Sequence, residues 1–230
     1  MVYPVTPPEP TDAERARTIL AAADSLALSV TSGGLRYECV ALHTVDAASR
    51  LLLLDPVDPG LTAELAAAPG SGLAAFAEFT DIAPVAVRDR VRARLALSGR
   101  LASAGPDTLV FRPARAALSV DDTVRTVDAA ALGAATPDPL ARCEAELLDH
   151  LDTGHADILV QLTDLVRHGD LSGIDRIRPI RLDRKGLALR LERTGGAIED
   201  VRLGFLTEAQ GPYDVGLRIQ ELLDPATARH

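Results

Sequence analysis

The sequence predicts an α+β protein in which an antiparallel β-barrel, closed or split, is followed by a small ααβββα domain. Short segments of alternating hydrophobicity, separated by turn residues, fill most of the first half of the chain. Two segments with helical periodicity and three further strand-like segments fill the second half. Several short strands with short connections are typical of barrels, and the helical segments predict a separate domain after the barrel.

The first half begins with a predicted helix and continues with six predicted strands. Thr11 or Asp12 can cap a helix that ends near Asp24. The predicted strands cover residues 26–30, 35–43, 50–54, 73–79, 92–104 and 108–111. One short helix is predicted over residues 61–68. Gly99, inside the longest strand, predicts a bulge or a sharp bend of the barrel.

A weakly periodic stretch that ends at Pro139 separates the two halves. We therefore predict a barrel domain over residues 12–115, a linker over 116–136 and a small domain over 137–225. The small domain is expected to contain two helices, or one bent helix, followed by strands and a last helix. The predicted strands have a two-residue period and cover residues 176–182, 187–191 and 198–203, and the last helix covers residues 212–223.

Composition and charge exclude several classes of function. The 230 residues are 47% hydrophobic, which permits a sizeable core, and the formal net charge of −9 disfavours nucleic-acid binding. No apolar run approaches the ~20 residues of a membrane span. Residues 1–10 lack the apolar core of a signal peptide, which predicts a cytoplasmic protein.

Four arginines alternate along one short segment: Arg88, Arg90, Arg92 and Arg94. On a single strand their side chains would project from one face. A solvated outer face is the preferred interpretation, and a face that binds a phosphate or carboxylate ligand is the alternative.

The main candidate for a functional site is the stretch from His150 to Asp157. Asp152 can cap a helix and Gly154 weakens a continuous one, so His150 is expected near one helix end and His155 in the next first turn. A helix N-terminus favours neutral imidazole, the form that binds metals. The spacing is not a zinc signature, and a straight helix would point the rings roughly 140° apart. The alternative is that both histidines cap helix ends or hydrogen-bond across the turn.

Several motifs of the second half resemble a known family. Similarity to the small C-terminal domain of pyridoxamine-phosphate-oxidase-like split-barrel proteins is found at residues 137–140, Glu144, Leu147 and 150–157. Members of that family carry a His and then a His-Ala-Asp at the last of these positions. Residues 201–205 before the last helix also fit. In the first half, residues 25–56 and 92–103 resemble the FMN-binding-like split barrel. Related two-domain proteins include HugZ-type haem oxygenases and plant glutamyl-tRNA reductase-binding proteins.

The resemblance implies a haem-binding or tetrapyrrole-related regulatory protein, with haem degradation as a further activity of such relatives, and it implies a homodimer. His155, with His150 or His230, is the implied cofactor-binding residue, and His155 is the implied ligand of the iron. FMN is doubtful because Glu38 lies where a phosphate-binding Ser-Pro is expected. The alternatives are a flavin- or deazaflavin-dependent oxidoreductase and a non-catalytic interaction protein with an emptied barrel. No residue is assigned a catalytic role, and whether the protein is an enzyme is left open.

Overall fold

The computed structural model describes residues 8–32, 35–46, 50–54, 59–68, 70–105, 108–167 and 171–224. It contains a closed antiparallel barrel of six strands, one further strand, a separate three-stranded sheet and six helices in this part of the chain. The predicted fold class is therefore confirmed. None of the helices in these ranges is long and apolar enough to cross a membrane.

The described residues form two compact units. The barrel unit contains residues 11–82 and 91–137, and the C-terminal unit contains residues 8–10, 83–90 and 138–224. The C-terminal unit thus includes two short segments that precede its main body in the sequence.

The barrel unit is built from seven strands and three helices. Its elements, in chain order, are α1 (Asp12–Ala22), β1 (Ser25–Ser32), β2 (Leu35–Val45), β3 (Leu51–Leu54), α2 (Pro59–Ala67), β4 (Leu73–Ile82), β5 (Val91–Gly105), β6 (Thr108–Val120), β7 (Thr123–Val127) and α3 (Ala129–Ala134). The strand order is β3-β2-β1-β4-β5-β6-β7, and pairing of β3 with β6 closes the barrel. The stretch predicted as a linker contains the end of β6, β7 and α3.

Local sequence signals account for the start of this unit. The hydroxyl of Thr11 accepts the backbone N–H of Glu14, and the carboxylate of Glu14 accepts the N–H of Thr11. Thr11, one of the two predicted caps, therefore begins α1 with a capping box. In β1, Leu26, Leu28 and Val30 are buried while the intervening residues are less so. This two-residue period places one face of the strand in the barrel core.

Gly99 produces the predicted irregularity in β5. The register between β5 and β6 shifts between Ser98 and Gly99. A Cβ atom at Gly99 would lie 2.1 Å from the carbonyl oxygen of Arg112, which is too close for any other residue type. The bulge therefore depends on glycine because the neighbouring backbone approaches closely.

The C-terminal unit has the predicted ααβββα order. Its elements are α4 (Glu144–Gly154), α5 (Ala156–Arg167), β8 (Ile174–Asp183), β9 (Gly186–Arg193), β10 (Ile198–Gly204) and α6 (Pro212–Leu223). The central strand of the sheet is β9, and its residues from Gly186 to Glu192 are all buried. Leucines of α4, α5 and β9 form the centre of the core, which fixes the helices against the sheet.

Candidate functional site

The junction between α4 and α5 brings His150 and His155 together. The N–H of His155 donates to the carbonyl oxygen of Leu151, and the carbonyl oxygen of His155 accepts the N–H of Leu159, both at 3.2 Å. His155 therefore belongs to the end of one helix and to the start of the next. The bend places the two Nε2 atoms 3.1 Å apart, with the rings inclined at 75°. One imidazole donates its N–H to the other across the turn.

Asp152 does not cap a helix as predicted. It lies inside α4, and its carboxylate accepts a hydrogen bond from Nη1 of Arg178 at 2.5 Å. This hydrogen bond raises the pKa of Arg178, so the guanidinium stays cationic. Asp152 therefore ties α4 to β8, and the helix break falls later, at His155.

A cleft of about 380 Å³, here called the apolar cleft after its aliphatic side chains, runs along β8 beside these helices. Polar and apolar surface line it in about equal shares, from Leu159, Val160, Leu171, Ile174 and Ile177 and from Asp152, Asp175, Arg176 and Arg178. Ala156 also lines the cleft, and it directly follows His155 in the chain. The cleft therefore begins one residue away from the histidine pair.

A second, cationic cleft of about 470 Å³ adjoins the first, because both are lined by Asp175 and Arg176. Arg88 and Arg193 also line it, and the carboxylate of Glu192 accepts the backbone N–H of Arg88. The guanidinium groups of Arg88 and Arg176 are exposed and have no hydrogen-bond partner in the described part of the chain. Two unpaired cations beside an apolar surface can bind the carboxylates of an otherwise apolar ligand.

Arg190 fixes the position of Arg88. Its buried guanidinium donates twice to the carboxylate of Asp200, at 2.7 Å each, and from Nη1 to the carbonyl oxygens of Arg88 and Asp89. The hydrogen bonds to Asp200 raise the pKa of Arg190. Sequence reasoning missed this cluster, because Arg88 and Arg190 lie far apart in the chain and meet only in the folded unit.

The alternating arginines do not form one face. Arg92 and Arg94 lie on β5 of the barrel unit, whereas Arg88 and Arg90 precede that strand in the C-terminal unit. Arg92 binds the carboxylate of Asp81, and Arg90 donates to the carbonyl oxygen of Ala83. The prediction of a shared strand face was wrong, because the strand begins only at residue 91.

Two further predictions concern His230 as a ligand and a site for a metal ion. His230 lies outside the described residues. Among those that are described, no group of three or more His, Cys, Asp or Glu side chains is placed to hold a metal ion.

Comparisons with known proteins extend these observations. No family model matches the chain, and no curated protein matches it. A structure described as a heme binding protein from Mycobacterium smegmatis is similar, with a TM-score of 0.66 and 21% sequence identity. The similarity covers 96% of this chain and 99% of that chain, so the two proteins share the fold of both units.

A weaker similarity involves the barrel class. A protein of the pyridoxinephosphate oxidase family from Clostridium acetobutylicum, related to general stress protein 26, has a TM-score of 0.38 and 11% identity. That similarity covers 50% of this chain and 93% of the other.

Proposed function

We propose that the C-terminal unit binds haem or a related tetrapyrrole in the two adjoining clefts along β8. The observation that carries this proposal is the arrangement of aliphatic side chains and unpaired arginines along β8, with Ala156, the residue after His155, in the lining. A tetrapyrrole needs apolar contact for its macrocycle and cations for its propionates. Leu159 and Ile177 supply part of the apolar contact, while Arg88 and Arg176 suit the carboxylates. The haem-binding name of the M. smegmatis protein supports the same ligand class.

His155 is the residue that would hold the iron. It precedes Ala156, which lines the apolar cleft, but its Nε2 atom is in contact with His150. Ligation therefore requires that the two rings separate, since the same nitrogen cannot serve both partners. His230 remains a second candidate ligand from the end of the chain.

Titration with haemin tests this proposal. We expect the wild-type protein to give a Soret band that shifts on saturation, and His155→Ala to lose most of the affinity while it remains folded. His230→Ala serves as the matched comparison, and circular dichroism checks the fold of each variant. A protein that never shifts the haemin spectrum, or a His155→Ala variant that binds equally, would exclude His155 ligation in this unit.

The same samples distinguish the other functions that the sequence left open. A stable Soret band after addition of a reductant and dioxygen indicates binding, and its loss with formation of a linear tetrapyrrole indicates degradation. Titration with FMN, followed by quenching of its fluorescence, tests a flavin-dependent oxidoreductase. We expect weak FMN binding at most, because Glu38 on β2 would repel a phosphate.

We further propose that the outer face of the barrel pairs with a second copy of the chain. Val40 and Leu42 on β2 and Phe76 on β4 lie on the two strands that flank β1, and they are 72%, 55% and 55% exposed. Leu52 extends this apolar patch onto β3. Such clustering of large apolar side chains on the surface of a barrel is typical of an interface between protein chains.

Sedimentation equilibrium tests the homodimer. We expect a dimer for the wild-type protein and a monomer for the double variant Val40→Glu and Phe76→Glu, because two buried charges would oppose association. Val124→Glu is the control, since Val124 is also exposed but lies on β7. A monomeric wild-type protein, or a double variant that still dimerises, contradicts this interface.

A further inference from the structure

Basic side chains of the C-terminal unit hold the first described residues of the chain. The carboxylate of Glu9 accepts a hydrogen bond from Nη2 of Arg181 at 2.5 Å and lies 3.2 Å from Nε of Arg202. Arg202 also donates from Nε and Nη2 to the carbonyl oxygen of Pro8, and Nζ of Lys185 donates to that of Glu9. Each of these contacts joins an oxygen of Pro8 or Glu9, the segment called the arm below, to a cation.

The cations converge because of the sheet topology. Arg181 lies on β8, Arg202 lies on β10, and Lys185 lies in the turn between β8 and β9. Asp183 binds Nη2 of Arg202 at 2.7 Å. Three positive charges and one negative charge leave an excess of two positive charges before Glu9 is counted. The site therefore favours an acidic partner.

The site also contains hydrogen-bond donors that Glu9 leaves unused. The side chain of Arg202 is 8% exposed, and its buried Nη1 atom has no hydrogen-bond partner in the described ranges. Nε of Arg181 lies 3.7 Å from the carboxylate of Asp183, so this nitrogen is paired in charge although the distance is too long for a hydrogen bond. Buried donors without acceptors are unfavourable, so a ligand with further oxygens would bind more strongly than Glu9 alone.

The hydrogen bonds and ion pairs of Pro8 and Glu9 in the described part of the chain lie near the surface. Glu9 is 49% exposed, whereas the side chains of Arg181 and Arg202 are 19% and 8% exposed, so water reaches these ion pairs from the side of Glu9. A ligand that makes the same contacts can therefore displace the arm. Three of the contacts are made with the peptide carbonyl oxygens of Pro8 and Glu9, which a small anion such as phosphate lacks.

We propose that Arg181, Lys185 and Arg202 form a binding site for an acidic peptide segment, and that Glu9 occupies this site as a tethered ligand. The partner recognised there carries an extended segment with a carboxylate side chain. Its binding competes with the chain's own arm, so the arm lowers the apparent affinity of the site for a partner.

Fluorescence anisotropy with a labelled peptide of sequence Pro-Pro-Glu-Pro-Thr tests the site. We expect Glu9→Gln to bind the peptide about ten-fold more tightly than the wild-type protein, because its own arm competes less. Glu146→Gln removes the same charge from an exposed position of α4 and is the control. Equal affinities for Glu9→Gln and the wild-type protein, or no binding to either, would overturn the proposal.

A second comparison locates the binding. In the Glu9→Gln background, Arg181→Gln should abolish the gained affinity, whereas Arg142→Gln, at an exposed position outside the site, should preserve it. A peptide with Gln in place of Glu should bind poorly. Inorganic phosphate that competes as well as the unlabelled peptide would show that the site takes small anions and not peptides. Circular dichroism establishes that each variant is folded.

Discussion

The Nε2 atoms of His150 and His155 lie 3.1 Å apart at the junction of α4 and α5. The contact exists because the chain bends at His155, where φ is −138° and ψ is 46°. On a straight helix the two rings would diverge. One imidazole donates its N–H to the other, so a ligand that takes Nε2 of His155 must first break this contact.

We expect His150→Ala to increase haemin affinity, in contrast to His155→Ala. A net hydrogen bond contributes about 0.5–1.5 kcal/mol, so its removal from the free protein should raise affinity about two- to ten-fold. Asp149→Ala, at an exposed position of α4, is the control. Absorbance titrations measure the three affinities. A loss of affinity in His150→Ala as large as that in His155→Ala would show that His150 itself contributes to binding.

We expect Gly99→Ala to destabilise the barrel by about 1–3 kcal/mol, as overpacking of a tight site does. The added Cβ would meet the carbonyl oxygen of Arg112 at 2.1 Å. Gly133→Ala in α3 is the matched control, since a Cβ there meets nothing within 4 Å and should stabilise the helix by up to ~1 kcal/mol. Urea unfolding measures both. Equal midpoints for the two variants would contradict the close approach at the bulge.

The sequence predicted the barrel strands and the ααβββα order because burial follows a regular period there. It missed β7 because four of its five residues are exposed, with only Val127 buried, so no alternation marks the strand. It missed α3 because that helix has six residues and a single buried side chain, Leu132. Neither element carries the periodic apolar signal on which sequence interpretation depends.

The candidate site was predictable only where local sequence decides the geometry. The two-helix break was predicted from Gly154, but the capping role of Asp152 was wrong because Arg178, far along the chain, binds that carboxylate. The cationic cleft was not predicted, since Arg88 and Arg176 come together only through tertiary packing. Local propensity cannot anticipate contacts between residues so distant in sequence.

We expect a fragment that begins at Pro137 to fold alone, because the leucine core of the C-terminal unit lies almost wholly within it. The fragment lacks residues 83–90, so Arg190 loses two carbonyl acceptors. Its unfolding midpoint should therefore lie below that of the same unit in the full chain, and Arg190 should still bind Asp200. Circular dichroism during thermal unfolding measures this. A random-coil spectrum at low temperature would contradict independent folding.

We expect His43 to make the barrel unit less stable as the pH falls. Burial lowers the pKa of His43 below its ordinary value of 6.5, despite opposing contributions from the hydrogen bond with Leu20 and from Asp24. The stability contributed by neutral His43 is thus present above pH 6.5 and lost as the pH falls through the lowered pKa.

The comparison uses His43→Gln, which can still donate to the carbonyl oxygen of Leu20. Between about pH 7 and about pH 5, the free energy of unfolding should fall more for the wild-type protein than for this variant. His150→Gln is the control, because it removes a histidine from an exposed position. Equal pH dependence in the wild-type protein and His43→Gln would show that His43 does not carry the effect.

The central claim, that a tetrapyrrole binds along β8, is tested most directly by paramagnetic broadening of backbone amide signals when haemin is added to ¹⁵N-labelled protein. The account predicts that the amides of Ala156, Ile174 and Ile177 broaden first, because these residues line the apolar cleft. Amides of β1 and β2 should keep their line widths. Broadening confined to the barrel strands, or none at saturating haemin, would contradict the account.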